Sequence, residues 1–192
     1  EFYVTTTRSP TVYRGMPFQV EAAIAYGGSL DKESQVRLLR FANRVPLLYQ
    51  QGACAITEAS TEIIWRSYGL QQSGNNLPTG PAVVLVHIAS VWVPFTSEAK
   101  EAIAHYPDII KEIKLALQEC GRKLMIYINK NIRSAEQRDK INLFEKYIPE
   151  LALSLSNLTG DKKENIILNF QKILKKSLPE IINEAENGTK KE

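Results

Sequence analysis

The sequence predicts an α+β fold: a small, mostly antiparallel sheet covered on one face by helices and continued into a long helical C-terminal arm. Three observations predict it. Apolar runs alternate with turn residues through the first half of the chain. One of these runs, Ala82 to Val93, is almost wholly apolar and β-branched, as a strand buried on both faces would be. From Asp108 onward, apolar residues recur three or four apart, the spacing of a helix face. Strands, one helix, a buried strand and then helices only is the order of a sheet backed by helices.

Short extended pieces such as Phe2–Thr6 open the chain, with turn chemistry at Ser9-Pro10 and Arg14-Gly15. Phe18 to Tyr26 has strand character, weakened by its alanines. Gly27-Gly28-Ser29 then reads as a hairpin connection; a phosphate cradle would need more than a glycine pair. Val36 to Asn43 is expected to pair with that preceding strand. Arg37 and Arg40 break its period of two, which leaves a bulge or short helix open. Ala53–Arg66 can place Cys54, Ile56, Ala59 and Ile63 on one helical face. Residues 69–81 hold three Gly, two Pro and two Asn, so they form a loop. Loops of that length in compact domains are often functional.

Beyond the buried strand, Pro94 ends the ladder because it has no N–H to donate. Thr96 or Ser97 can cap a new helix with Glu98 in its first turn. Lys100 would then face the positive end of the helix dipole, at a cost of about 0.3–1 kcal/mol. Read plainly, Lys100 is a solvated surface lysine. Read more sharply, it is held at a strand-to-helix tip to reach an anion outside this domain, since local rules tend to break where function overrides them.

Ile109, Ile113, Ala116 or Leu117, Cys120 and Leu124 share a helix face that Asp108 helps to start. Gly121 inside it costs about 1 kcal/mol relative to Ala. Ile141, Phe144, Ile148, Leu151, Leu155 and Leu158 repeat as a heptad seam. Pro149 should kink or restart it. That narrow stripe needs cover, from a second helix of this chain or from another subunit. Thr159-Gly160-Asp161 ends the pattern, and Ile166, Phe170, Ile173 and Leu174 mark a last helix, interrupted near Pro179. Residues 186–192 should fray.

With 192 residues, 44% of them hydrophobic and 23% charged, the chain fits a soluble folded protein. A net charge of +3 does not by itself imply nucleic acid. Its distribution is uneven: residues 121–140 carry +4 and the remainder −1. Cys54 and Cys120 lack metal-ligand spacing and read as core residues in a reducing compartment. No run of 18 apolar residues suggests a membrane span, and a cytoplasmic location is expected. Asn157-Leu158-Thr159 and Asn187-Gly188-Thr189 match the glycosylation pattern by coincidence there. Because Glu1 and Phe2 enter structured sequence with no initiator Met, a piece of a longer polypeptide is expected.

No catalytic constellation stands out. His87 falls inside the buried strand and His105 near a helix kink, neither beside a nucleophile. No acid pair has metal-ligand spacing, and neither a P-loop nor a Rossmann fingerprint occurs. Trp65 and Trp92 could stack on a base, but packing in or at the core is the expectation for both. The residues point to a mechanical or interaction domain.

Three stretches carry a resemblance: TVYRGMPFQVEAAIAYGG (11–28), FANRVPLLYQQGACAITEA (41–59) and LPTGPAVVLVHIASVWVPFTSEAKEAIA (77–104). Together they resemble the transducer domain in the B subunit of DNA topoisomerase VI, over roughly residues 1–155. The resemblance implies a transducer core over 1–133, a long helical stalk over 134–159 and a helical extension with a frayed tail over 160–192. It also implies a fold like the second domain of a small-subunit ribosomal protein, with a βαβ crossover of the rare left hand. The implied function is to relay ATP binding and hydrolysis to the DNA-cleaving subunit of a type II topoisomerase during double-strand passage. ATP and magnesium would be bound mainly by a domain absent from this chain, so the segment alone is not expected to be catalytic. The family's switch lysine, which contacts the γ-phosphate, matches Lys100. Implied partners are the DNA-cleaving A subunit through the C-terminal helices, a second copy of the B subunit in a heterotetramer, and duplex DNA, with Arg122, Lys123, Lys130 and Arg133 as candidate contacts. No membrane is implied.

Three alternatives compete. One is a nucleic-acid-binding module using residues 121–140, with a steep salt dependence. Another is a subunit-docking module with no nucleotide-sensing role. The third, a small-molecule kinase, needs a phosphate loop opening a helix, which Gly27-Gly28-Ser29 does not provide.

Overall fold

The computed structural model describes residues 1–174. Its strands are β1 (Phe2–Thr7), β2 (Thr11–Tyr13), β3 (Met16–Tyr26), β4 (Arg37–Ala42), β5 (Val45–Pro46) and β6 (Ala82–Ser90). Its helices are α1 (Ala55–Thr61), α2 (Pro107–Thr159) and α3 (163–174). The described residues form one six-stranded sheet in the order β1-β3-β6-β4-β5, with β2 also paired to β3. All pairs are antiparallel except β4 with β6. The mostly antiparallel α+β architecture is the one the sequence predicts. Internal contacts divide the chain into a compact unit Glu1–Tyr127 and a second beginning at Ile128.

In the first unit the core lies on one side of the sheet. Phe18, Val20, Ala22 and Ile24 of β3 alternate inward beside Val84, Val86 and Ile88 of β6, following the two-residue period of a strand. Ile109, Ile113, Leu117, Cys120 and Leu124 of α2 are buried with them, and the Cys120 thiol faces the Ala22 carbonyl at 3.6 Å. The other face of β6 is half-buried rather than fully covered. The strand also ends at Ser90, three residues before Val93. There the Ser90 hydroxyl accepts from the Trp92 N–H (3.2 Å) and donates to the Pro17 carbonyl (2.9 Å), turning the chain out of the ladder.

The expected pairing of residues 36–43 with the preceding strand is overturned. β4 lies parallel to β6, which sits between β3 and β4. β6 is the most apolar strand, and a neighbour on each side removes most of its backbone and side chains from water. The Gly27-Gly28 turn, with both glycines at positive φ, therefore joins strands that are not adjacent and is not a hairpin connection. A parallel pair needs a crossover, and residues 43–81 supply it, with α1 on the way. Ala53–Arg66 is not one helix. α1 is flanked by 3₁₀ turns at Gln51–Ala53 and Trp65–Tyr68. The second turn buries Trp65, whose indole N–H donates to the Ser60 carbonyl at 2.7 Å.

α2 runs 53 residues without restarting at Pro149 and ends at Thr159. Gly160 follows at φ 78°, its N–H bonded to the Ser156 carbonyl at 3.0 Å, a left-handed C-cap. In the second unit Ile148 and Ala152 are buried, while Phe144 and Leu158 of the expected seam are exposed. A groove of about 280 Å³ runs between α2 and α3, lined by Ile141, Phe144, Phe170, Ile173 and Leu174. An intramolecular helix pair thus covers part of the stripe. The interruption expected near Pro179 and the frayed tail over 186–192 lie outside the described residues.

Candidate functional site

The segment from Pro94 to Ala104 is a loop closed like a short hairpin, not the start of a helix. Phe95 and Ile103 form an antiparallel bridge. The Thr96 N–H donates to the Ala102 carbonyl (2.9 Å) and the Ala104 N–H to the Pro94 carbonyl (2.7 Å). These bonds use main-chain groups that a helix would need, and Ala102 and Ile103 are fully buried. At the tip the Lys100 N–H closes a turn on the Ser97 carbonyl (3.1 Å).

Lys100 itself has φ 57°, a left-handed conformation that costs a side-chain-bearing residue about 1–2 kcal/mol. The oddity expected at this lysine is real, but its origin is backbone strain rather than a helix dipole. Its side chain is exposed. Among the described residues its ammonium has no hydrogen-bond or ion-pair partner.

Both sides of the loop's return strand are braced. The Ala55 N–H, opening α1, donates to the Ile103 carbonyl at 2.9 Å. The His105 ring faces Glu58 through Nδ1 and the Ala53 carbonyl through Nε2, the latter at 2.9 Å. On the other side Tyr106 packs on Tyr13 with the rings tilted by 36° and their centroids 4.4 Å apart. The Arg14 guanidinium lies 5.4 Å from each of those ring centroids.

Lys100 and the basic residues occupy different elements. Arg122 and Lys123 are exposed on the part of α2 in the first unit, and Lys130 and Arg133 are exposed on the part in the second. Lys123 donates to Glu119 at 3.2 Å, and that bond holds the Glu119 carboxyl below the usual range.

The remaining candidates are structural. His87 is hydrogen-bonded as expected: Nε2 accepts from the Arg44 N–H (3.1 Å), so Nδ1–H donates to Glu21 (2.8 Å). It thereby caps the β4–β5 turn, where Asn43 and Arg44 both have positive φ. Cys54 and Cys120 are buried free thiols, and burial pushes the Cys120 pKa up. Trp65 packs in the core as expected, but Trp92 does not. It is 69% exposed, because the chain turns out at Ser90. Arg40, in the sequence only a break in a strand period, is 4% exposed. It donates to the Leu47 and Tyr49 carbonyls (2.9 and 3.1 Å), holding the segment that leads to α1. No local pattern marked that role, because its acceptors are carbonyls brought back by the β4–β5 hairpin.

A complete ATP–magnesium site does not fit these residues. Among the described residues no cluster of His, Cys, Asp or Glu could hold a metal, and the Gly27-Gly28 turn leads into a loop rather than a helix. What fits is one contact: an unpaired ammonium on a braced tip can meet a phosphate oxygen. No helix among the described residues is long and apolar enough to cross a membrane.

A family model described as the transducer of the topoisomerase VI B subunit matches residues 1–140. The chain belongs to the topoisomerase VI B-subunit transducer family. The transducer is 52% identical over 157 residues to the B subunit of type 2 DNA topoisomerase 6 from Methanococcoides burtonii, covering 82% of this chain and 25% of that one. It is 44% identical over 179 residues to the same subunit from Pyrococcus furiosus (93% of this chain, 30% of that one). For the subunit from Natronomonas pharaonis the figures are 42% over 181 residues (94% and 23%). The last two alignments are longer than the 140 residues that the family model matches. The chain therefore spans about a quarter of the length of the relatives it matches. Among solved structures, the B-subunit of DNA gyrase from Myxococcus xanthus is similar over 64% of this chain and 34% of its own, with 19% identity and a TM-score of 0.40.

Proposed function

We propose that this transducer relays ATP binding and hydrolysis, sensed through Lys100, to the DNA-cleaving subunit of a type II topoisomerase. The observation that carries the reading is the free ammonium of Lys100 on a strained, braced tip. ATP held by a domain outside this chain supplies a terminal phosphate that hydrolysis removes. Lys100 offers that phosphate a charge-assisted bond from the rim, and the brace keeps the tip from adapting when the phosphate leaves. A loop that cannot follow its partner passes the change on as a rigid-body shift. In this reading residues 1–133 are the transducer core and 134–159 the stalk. Residues 160–192 are an extension, and the C-terminal helices dock on the DNA-cleaving subunit, as the exposed Phe144, Leu151, Leu155 and Leu158 of α2 favour. The working enzyme is then a heterotetramer with a second copy of the transducer-bearing chain, active in the cytoplasm.

The test is Lys100→Ala in the assembled enzyme. ATPase and strand passage should fall about 100-fold or more, as when one transition-state donor is removed, while folding and heterotetramer formation persist. Wild-type ATPase in this variant would remove Lys100 from the relay.

A second role at the same time is contact with duplex DNA through Arg122, Lys123, Lys130 and Arg133, favoured by their exposure on α2. Neutralising one contacting residue should flatten the salt dependence of DNA binding by about one unit of slope. An unchanged slope for all four would take α2 away from DNA.

A further inference from the structure

The base of the Lys100 loop is tied to α1 by an imidazole whose two nitrogens both face acceptors. His105 Nε2 lies 2.9 Å from the main-chain carbonyl of Ala53, which has no proton to give. Nδ1 faces a carboxylate oxygen of Glu58. A neutral imidazole carries one N–H and can satisfy only one of these partners. The imidazolium satisfies both.

We propose that His105, as the imidazolium, is the positioning residue that holds the Lys100 loop in register on α1. The inference rests on Lys100 acting as proposed above only for its functional consequence, not for the positioning itself.

The placement explains why one ring matters. His105 lies two residues beyond Ile103, the bridge partner of Phe95, and one beyond Ala104, which bonds Pro94. A fixed His105 therefore fixes the strand whose tip carries Lys100. The Ala55-to-Ile103 main-chain bond at 2.9 Å lies beside it, so α1 grips the loop at two points, one of which titrates. The neighbouring charges leave Glu58 for this task. Glu62, which caps the C-terminus of α1, pairs with Lys114 of α2, and Lys111 of α2 lines the same cleft as Glu58 and Glu62. On its own segment Glu101 and Asp108 flank the ring in sequence. The hydrogen bond to the Ala53 carbonyl raises the His105 pKa most, burial lowers it by less, and the Glu58 carboxylate raises it further, so the net direction is up.

The sign follows. A group whose pKa is higher folded than unfolded contributes fully below the unfolded value, about 6.5 for histidine, and its contribution is lost as pH rises through the folded value. The loop is held at acidic to neutral pH and slackens above it.

The experiment measures hydrogen exchange of residues 94–104 in the full-length subunit from pH 6 to 9, corrected for intrinsic exchange, together with the ATPase pH profile of the assembled enzyme. Wild-type loop protection should fall about tenfold across the His105 titration. Glu58→Gln should move the midpoint down by about one pH unit. His105→Gln, with one amide in place of two ring donors, should give low protection at every pH. Protection that ignores pH in the wild type, or a midpoint unmoved by Glu58→Gln, would overturn the proposal. Lys100→Ala separates the two readings: loop protection and its midpoint should persist there while ATPase is lost. Persistence of ATPase as well as loop protection would sink the switch reading and leave the positioning role standing on the exchange data.

Discussion

Lys100 holds φ 57°, as Arg14, Asn43, Arg44 and Gln50 hold positive φ in other turns, and a glycine there would carry no such strain. Lys100→Gly tests this. It removes the left-handed strain and should raise stability by up to about 1 kcal/mol, read as a higher denaturation midpoint, while ATPase falls as in Lys100→Ala. A midpoint lowered by the glycine would mean that the ammonium stabilises the loop, against the free side chain described above. The residue stood out in the sequence, though as a cation opposing a helix dipole. Thr96, Ser97, Glu98 and Ala99 are good capping and helix-forming residues, and short-range propensity cannot register that Thr96 bonds Ala102 across a loop. His105 was visible only as a histidine without a nucleophile, because its partners lie about fifty positions away at Ala53 and Glu58.

At the scale of elements, the strands and helices set by their own periodicity were legible, and those set by distant neighbours were not. β3, β6 and α2 could be read from apolar spacing. The place of β6 between β3 and β4 could not, since strand order depends on which edges the crossover reaches. Gly121 shows the same divide within one helix. Propensity alone says that Gly121→Ala should stabilise α2 by about 1 kcal/mol. The added Cβ, however, would lie 2.7 Å from the Tyr68 ring, which belongs to the 3₁₀ turn beside buried Trp65. Overpacking of this kind costs about 1–3 kcal/mol, so Gly121→Ala should lower the melting temperature. The same change made with Tyr68→Ala should recover most of the helix gain relative to Tyr68→Ala alone. A single variant more stable than the parent would show that Tyr68 yields freely.

At the scale of the molecule, the two compact units differ in how they are held. The first packs one face of a sheet against the early turns of α2, where Cys120 meets the Ala22 carbonyl, with Ile24, Val84, Ile113 and Leu117 fully buried. In the second, among the described residues, the buried apolar side chains are Ile128, Ile148 and Ala152, while Leu143, Phe144, Tyr147, Leu153 and Leu168 are exposed. Local stability follows buried apolar contacts, and burial of one large apolar side chain contributes about 1.5–3 kcal/mol. In the free full-length subunit, amides over 128–174 should therefore exchange through smaller openings than those of β3, β6 and residues 109–124. If these exposed side chains dock on the DNA-cleaving subunit, complex formation should slow exchange over 128–174 and leave β3 and β6 little changed. Equal protection of both regions in the free chain would show that helix hydrogen bonding alone stabilises the second unit. No slowing in the complex would place the contact with the DNA-cleaving subunit elsewhere on the transducer.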